Sequence, residues 1–256
     1  MSGVTGKGVL VGLNKDEFEM RYRPQYRIVE DRIYIDSSEA RLVKVSGGSE
    51  EVCIREYGPV PKRNRIESRL GMGVIREVIR KQKKWNEDGI TIRRVNIPVR
   101  SSQLEDEFFS CDVRKELNNV KLDAKYIGVV IEGELGATNE EEVRKNINGL
   151  RKLGLEVVVD GIEHEIPGWL EYDVVKISEH RVLCIHRNNN LGKVMETIKF
   201  ANSKGKKVIS EGIETEELLC IVNRLGCNVF QGNLFSGDVD EERYKEMLRG
   251  KGEHVF

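Results

Sequence analysis

The chain has 256 residues, with 42 Lys and Arg against 43 Asp and Glu, so its net charge is −1. Nucleic acid is excluded as a main ligand, because phosphate-backbone binding needs a concentrated cationic face and these charges are interspersed. No apolar stretch approaches the roughly 20 residues of a membrane span, so we expect a cytoplasmic protein with no membrane partner. Five cysteines, with no C-x-x-C among them, argue against a disulfide framework and a zinc cluster.

The amino-terminal part of the chain predicts a lead-in, a hairpin and a long loop. Residues 1–14 have glycine spacings that match no phosphate-binding loop, so we interpret them as a flexible lead-in to one domain spanning 15–256. Residues 18–28 and 32–45 are extended runs that predict a hairpin, which makes the first strand antiparallel. From 46 to 67 the glycine, proline and charged content predicts a loop-rich excursion.

After residue 67, helix-period and β-type segments alternate to the end of the chain. Alternation of this kind predicts parallel strands joined by crossover helices, and hence an α/β barrel of the TIM type. The predicted helices cover 70–87, 104–119, 138–153, 190–204, 213–225 and 239–249. The predicted strands cover 91–96, 127–132, 155–159, 173–177, 206–210 and 227–230.

A series of polar residues follows these short apolar runs. Its members are Asn96, Asp160, Lys176, Glu211 and Gln231. Because strand ends converge on one mouth of a barrel, we expect these side chains to form a single polar site. Two gaps interrupt the series: Val130, where the strand 127–132 should supply its group, and Gly161, beside Asp160.

Several ordered motifs make the chain resemble a known family. They are Ser38-Glu39-Ala40, Val95-Asn96-Ile97, Tyr172-Asp173-Val174-Val175-Lys176-Ile177, the run 210–217 that begins Ser210-Glu211-Gly212, and the run 226–235 that contains Phe230-Gln231-Gly232. In this order, over about residues 15–250, they resemble EAL-type domains, the bacterial cyclic-di-GMP phosphodiesterases. The resemblance implies a modified (β/α)8 TIM-like barrel of the EAL type with an antiparallel first strand.

The resemblance also implies a metal site at the barrel mouth. In such enzymes two divalent cations, Mg²⁺ or Mn²⁺, activate a water that attacks a phosphodiester. Carried over by position, Glu39 and Asn96 would bind the first cation and Asp160 would bridge both. These oxygen ligands suit hard cations.

Three further residues take roles in the chemistry by the same resemblance. Lys176 and Glu211 would be the catalytic residues, which orient the water and neutralise charge. Gln231 would lie near the ligand or the metal shell. The ligand implied for all three is cyclic-di-GMP.

Departures from the family pattern weaken the metal site. Val130 stands where a metal-binding Glu is expected, Gly133 stands where a second Glu steadies a loop, and Gly161 replaces an Asp of the second cation. Losing two metal carboxylates predicts weak or absent binding of Mg²⁺ or Mn²⁺, with one cation or none at the residual site. The loop between Asp160 and Lys176 is also shorter than usual; it is often a dimer contact in the family, so a homodimer stays open.

The residues that hold the nucleotide have changed as well. The Glu-Ala-Leu signature is Glu39-Ala40-Arg41 here, and the phosphate-binding Arg expected two residues further on is Val43. Losing that arginine weakens nucleotide binding by about 1–3 kcal/mol. The Gln of the Tyr-Gln-Pro motif is Arg23. Arg23 and Arg41 are therefore alternative phosphate ligands.

Three functions remain open. The leading hypothesis is a degenerate EAL domain that does not hydrolyse cyclic-di-GMP and acts as a regulatory or protein-interaction module with a protein partner. The second is a receptor that binds cyclic-di-GMP without cleaving it. The third is an active phosphodiesterase whose site is rebuilt by Glu132, on the same strand face as Val130, or by Glu163, His164 or Glu165. Alternatively, the polar residues persist only as a hydrogen-bonded network.

Overall fold

The computed structural model describes most of the chain, namely residues 18–30, 32–44, 52–53, 66–132, 139–160, 166–187 and 190–250. Several sequence predictions fall outside these ranges: the lead-in at 1–14, most of the loop at 46–67, the departures at Gly133 and Gly161, and the replacement ligands Glu163, His164 and Glu165. Of Asp160 only the backbone is described.

Eight strands close into a barrel. They are β1 (Phe18–Val29), β2 (Arg32–Lys44), β4 (Arg94–Arg100), β5 (Ile127–Glu132), β6 (Glu156–Asp160), β7 (Val174–Ile177), β8 (Lys207–Ser210) and β9 (Val229–Phe230), while the two-residue β3 (Val52–Cys53) pairs with the end of β2. Neighbouring strands are parallel from β2 through β4 to β9, whereas β1 is antiparallel to both β2 and β9 and closes the ring. The predicted barrel with an antiparallel first strand is confirmed.

Helices cover the outside of this barrel. They are α1 (Ile66–Glu87), α2 (Ser101–Leu104), α3 (Phe109–Val120), α4 (Glu140–Leu153), α5 (Glu179–Leu183), α6 (Asn190–Ser203), α7 (Glu216–Arg224) and α8 (Glu241–Arg249). Local chemistry sets their ends: at α4 the Asn139 side chain accepts a hydrogen bond from the Glu142 amide, and Gly154 ends the helix with a φ of 100°. Within the described residues, no helix is both long and apolar enough to cross a membrane.

The predicted helix 104–119 is wrong, because the chain breaks it into α2 and α3. Asn146 of α4 donates hydrogen bonds to the carbonyls of Leu104 and Asp106, and the Asp106 side chain accepts one from the Phe108 amide. These bonds satisfy backbone groups that a continuous helix would use itself, so the turn is stable. Helix α1 also begins earlier than predicted, at Ile66.

The predicted strand 91–96 is displaced along the chain. Pairing with β2 begins where Ser37 meets Arg94, and β4 then continues to Arg100. Ile92, which lies in the predicted strand, is buried in the core before the strand begins. Asn96 therefore lies within β4 rather than after it.

The core has two parts because each strand buries both of its faces. One face packs against the helices and belongs to the larger apolar cluster, with Val129, Val157 and Val175 among its members. The alternate residues form a separate aliphatic layer inside the barrel, made of Val130, Val158, Val174, Ile209 and Val229. This layer divides the two ends of the barrel.

Aromatic packing fixes the last helix against the first strand. Tyr22 of β1 stacks on Tyr244 of α8 at 5.0 Å between ring centroids and meets Trp85 of α1 edge-on at 5.2 Å. Trp85 Nε1 donates a 2.8 Å hydrogen bond to Glu241 at the start of α8. The chain thus returns to β1, and the segment before α8 lies over the mouth of the barrel.

Candidate functional site

The polar site lies directly above the aliphatic layer. Lys176, Glu211 and Gln231 each come two residues after a member of that layer, and two residues make one repeat of a strand. They therefore face the inside of the barrel, about 6.5 Å nearer its carboxyl end. Their exposed fractions are 0%, 5% and 1%, so the site is buried. The structure brings Glu39 and Asn96 to the same place from β2 and β4.

Lys176 joins two carboxylates at the centre of the site. Its Nζ lies 2.6 Å from Glu39 Oε2 and 3.1 Å from Glu211 Oε1. The three side chains are 0%, 0% and 6% exposed, so their charges are shielded from water. Removing one member of a buried ion group leaves an uncompensated charge, which makes such groups interdependent. The ammonium group of Lys176 thus lies between the two carboxylates and offsets one of their two negative charges.

A relay of amide side chains fixes the orientation of Asn96. Gln231 Nε2 must donate to the Glu211 carboxylate, at 2.9 Å, so Gln231 Oε1 accepts from Gln25 Nε2 at 2.7 Å. Gln25 Oε1 in turn accepts from Ser37 Oγ at 2.6 Å and from Asn96 Nδ2 at 3.0 Å. The carboxylate at one end therefore determines which way the amides point along the relay.

The outcome is that Asn96 Oδ1 is buried without a hydrogen-bond partner. It lies over Gly128 of β5, where a Cβ would collide with it. The absence of a side chain at Gly128 gives Asn96 the room for this orientation. An amide oxygen left without a donor is chemically suited to a hard cation.

The carboxylate of β5 is Glu132, which lies two residues beyond Val130 toward the carboxyl end of the strand. Val130 is fully buried in the aliphatic layer. The register between β5 and β6 pairs Ile131 with Val159, so Glu132 follows at the level of Asp160. Glu132 is partly buried, and its side chain interacts with neighbouring groups. The aliphatic side chain of Val130 itself offers no ligand to a metal.

The side chain of Asp160, the carboxylate that would bridge two cations, lies outside the described residues. Among them, no group of three or more His, Cys, Asp or Glu is arranged to hold one. Glu39 is already paired with Lys176 through one oxygen and with Arg41 through the other. Asn96 Oδ1 is therefore an uncharged potential metal ligand. The nearby Glu39 carboxylate already contacts two cations of the chain, Lys176 and Arg41.

Two arginines and an aspartate form the rim above this centre. Arg41 Nε lies 3.5 Å from Glu39 Oε1, and Arg41 Nη1 lies 3.5 Å from Asp238 Oδ2. Arg23 approaches the same carboxylate, with its Nε 3.5 Å from Asp238 Oδ1. The β1–β2 register explains this meeting, because Arg23 is opposite Glu39 and alternate residues share one face. Val43, by contrast, is buried and apolar.

The sequence did not point to three members of the site, Gln25, Ser37 and Asp238. Period-two alternation could have found the first two, since Gln25 comes two residues after Arg23 and Ser37 two residues before Glu39. Asp238 gives no such signal because it lies in the segment before α8. Backbone hydrogen bonds between Val239 and Tyr22, at 2.8 and 2.9 Å, hold that segment in position.

Solved structures share this architecture. The chain superposes on the EAL enzyme Bd1971, in its cAMP- and cyclic-di-GMP-bound form, with a TM-score of 0.83 at 19% identity, covering 95% of this chain and 68% of that one. It matches the PaMucR phosphodiesterase in its cyclic-di-GMP complex with a TM-score of 0.83 at 16% identity, covering 93% of this chain and 98% of that one. These identities show a common fold.

Sequence relatives include the oxygen sensor protein DosP of Escherichia coli K12, 20% identical over 93% of this chain and 30% of that protein. Cyclic di-GMP phosphodiesterase PdeR of the same organism is 26% identical over 70% of this chain and 29% of its own length. The chain thus spans about a third of the length of these curated relatives. The family model described as the EAL domain matches residues 9–238. The chain therefore belongs to the EAL domain family, whose relatives include cyclic-di-GMP phosphodiesterases.

Proposed function

We propose that this chain is an EAL domain that does not hydrolyse cyclic-di-GMP and acts as a regulatory or protein-interaction module in bacterial signalling. The observation that carries the proposal is the buried ion group of Glu39, Lys176 and Glu211. Hydrolysis of this kind relies on two cations that activate water and stabilise charge on the phosphate oxygens. Here the carboxylates assigned to that task already face a cation of the protein.

The charges at the mouth support the proposal. Three carboxylates and three cationic side chains contact one another there, so their formal charges cancel: Glu39, Glu211, Asp238, Lys176, Arg23 and Arg41. Two divalent cations bring four positive charges, and a site that binds them needs a surplus of anionic ligands. Among these six side chains there is no such surplus.

The layer beneath the site supports the same conclusion. Val130 packs with Val158, Val174, Ile209 and Val229 and is fully buried. A metal ligand at this position would have to be a carboxylate reaching out of an aliphatic layer. With valine in its place, β5 contributes packing there and no coordination.

A second candidate is a receptor that binds cyclic-di-GMP without cleaving it. Two observations favour it: the unpartnered Asn96 Oδ1 inside the mouth, and the two arginines at the rim, which are suited to phosphate. The solved relatives Bd1971 and PaMucR have structures with cyclic-di-GMP bound. Ligand binding and action through a protein partner are compatible in a signalling module.

The deciding experiment is incubation of the full chain with cyclic-di-GMP and Mn²⁺, with an active EAL relative as positive control. We expect no linear dinucleotide above the background of Glu211→Ala. Product that forms with the wild type and disappears in Glu211→Ala would contradict the proposal. If that product also disappears in Glu132→Gln, the site has been rebuilt around Glu132.

The interaction role has its own test. A partner retained by the immobilised chain from lysate of the source cell should still bind the Glu211→Ala variant, because the interaction does not use the catalytic machinery. Sedimentation of the purified chain tests the homodimer separately. Failure to retain any partner, or loss of the partner on that substitution, would count against the interaction role.

A further inference from the structure

We propose that Arg23 and Arg41 form a metal-independent phosphate subsite at the rim, and that Asp238 is an internal anion that occupies this subsite when no nucleotide is bound. The subsite would take one phosphodiester of a cyclic dinucleotide. The inference rests on the receptor form of the proposed function and identifies the residues that would recognise the ligand.

Both arginines are positions where the sequence departs from the family, and the structure brings them together. Arg23 replaces the Gln of the Tyr-Gln-Pro motif and Arg41 the Leu of Glu-Ala-Leu, and they come from opposite strands of the β1–β2 hairpin. Each guanidinium faces one oxygen of the same Asp238 carboxylate. Two cations that converge on one anion make a site with the charge and width of a phosphate group.

The contacts with Asp238 are longer than those of a closed ion pair. Both lie at 3.5 Å, whereas charge-assisted hydrogen bonds between guanidinium and carboxylate are about 2.7–2.9 Å long. Arg23 and Arg41 are only 12% and 13% exposed, so burial holds their charges near each other. Asp238, at 24%, is the more accessible partner. The carboxylate therefore faces both arginines at 3.5 Å, while Arg41 also contacts Glu39 and Arg23 Nη2 donates to Asn233 Oδ1.

Exchange of the carboxylate for a phosphodiester conserves the charge of the mouth. A phosphodiester carries one negative charge, as Asp238 does, and its two non-bridging oxygens can each accept from one guanidinium. The backbone at Val239 is bonded to Tyr22 in both directions, so the exchange would involve the Asp238 side chain rather than its backbone. Metal ions are unnecessary, because the arginines supply the positive charge.

The test is calorimetric titration of cyclic-di-GMP into the full chain in EDTA, so that neither metal binding nor hydrolysis contributes. Asp238→Asn removes the internal anion and should tighten binding about ten-fold or more, since it removes competition for two charge-assisted contacts. Arg41→Gln and Arg23→Gln should each weaken binding of the same variant about ten-fold or more. Asp112→Asn, which makes the same charge change on the outer helix α3, is the matched control and should change nothing.

Three results would overturn the inference. Binding that is unchanged or weaker in folded Asp238→Asn would mean that the carboxylate does not compete with the ligand. No heat in any variant would mean that the rim does not take a cyclic dinucleotide. Saturation by inorganic phosphate alone, without dinucleotide binding, would make the subsite a general anion site. None of these results bears on the proposal that the chain does not hydrolyse cyclic-di-GMP, which the linear-dinucleotide assay tests separately.

Discussion

Each end of the barrel contains a group of interacting charged side chains, but the two groups differ in burial and in the length of their contacts. At the amino end, Glu156 is 9% exposed. Its Oε2 forms ion pairs with Arg94 Nη1 and Lys207 Nζ, each at 2.8 Å. A cavity of about 340 Å³, lined by Arg151 and Asp173 among others, opens beside it. At the carboxyl end, Lys176 is fully buried between two carboxylates, and the rim contacts above it are at 3.5 Å.

The difference indicates a structural role for the ion group at the amino end and supports the ligand-binding role that we propose for the group at the carboxyl end. The amino-end contacts are short, and their cations are partly exposed: Arg94 is 23% exposed and Lys207 is 42%. Water therefore screens them, and the loss of one partner is tolerated. The mouth combines a buried, interdependent centre with an unpartnered amide oxygen on Asn96 and two arginines that each lie 3.5 Å from Asp238. The exchange of Asp238 for a phosphodiester that we propose depends on this second kind of arrangement.

The difference between the two ends is tested most strongly by making the same substitution, Lys→Met, at each end. Lys176→Met removes the cation that contacts both buried carboxylates and leaves Glu39 only its 3.5 Å contact with Arg41, so we expect the free energy of unfolding to fall by about 3–5 kcal/mol. Lys207→Met should lower it by less than about 1 kcal/mol, because Glu156 keeps Arg94 and Lys207 is partly exposed. Urea unfolding at neutral pH measures both.

Equal losses for the two lysine variants would contradict the distinction between the ends. A double variant, Lys176→Met with Glu39→Gln, provides the control for packing. It should recover part of the stability, since the neutral amide removes one of the two facing charges.

A smaller effect is expected when the amino-end anion itself is removed. Glu156→Gln leaves Arg94 and Lys207 with a neutral partner and should reduce the free energy of unfolding by about 1–2 kcal/mol. The affinity for cyclic-di-GMP in the proposed receptor role should not change, because the aliphatic layer separates the two ends. A change in that affinity would show that the ends are coupled.

The smallest expected effect concerns alkaline pH. Burial raises the pKa of the Cys227 thiol from 9.0 to about 12. The unfolded chain loses that proton at lower pH than the folded chain, so the stability present below pH 9 decreases as the pH rises toward 12. At pH 10 the thiol should account for about 1 kcal/mol of the loss. Urea unfolding at pH 8 and pH 10 should show a smaller decrease in Cys227→Ala, and identical decreases would contradict this.

Alternation in the sequence predicted the barrel, because parallel strands with crossover helices repeat a pattern that local composition carries. The ends of elements were less accessible: Ile92 lies in the predicted strand but is buried ahead of β4. The break between α2 and α3 depends on Asn146, which lies about forty residues away in α4. Contacts at that distance leave no local periodicity to detect.

The sequence predicted most members of the site, but not Gln25, Ser37 or Asp238, and not how the members are connected. Their position after short apolar runs identified Lys176, Glu211 and Gln231. It did not reveal that Lys176 bonds to Glu39, because that pair joins β7 to β2 across the barrel. Asp238 was invisible for the same reason, as its position depends on backbone pairing between Val239 and Tyr22.

The measurement that tests the central claim most directly is a calorimetric titration of Mn²⁺ alone into the metal-free chain. Because Lys176 and Arg41 already compensate Glu39, we predict no saturable heat at micromolar to low millimolar Mn²⁺, and the same result for Glu39→Gln. Binding of one or two Mn²⁺ ions per chain that disappears in Glu39→Gln would contradict the claim that the protein's own cations have taken the place of the metals.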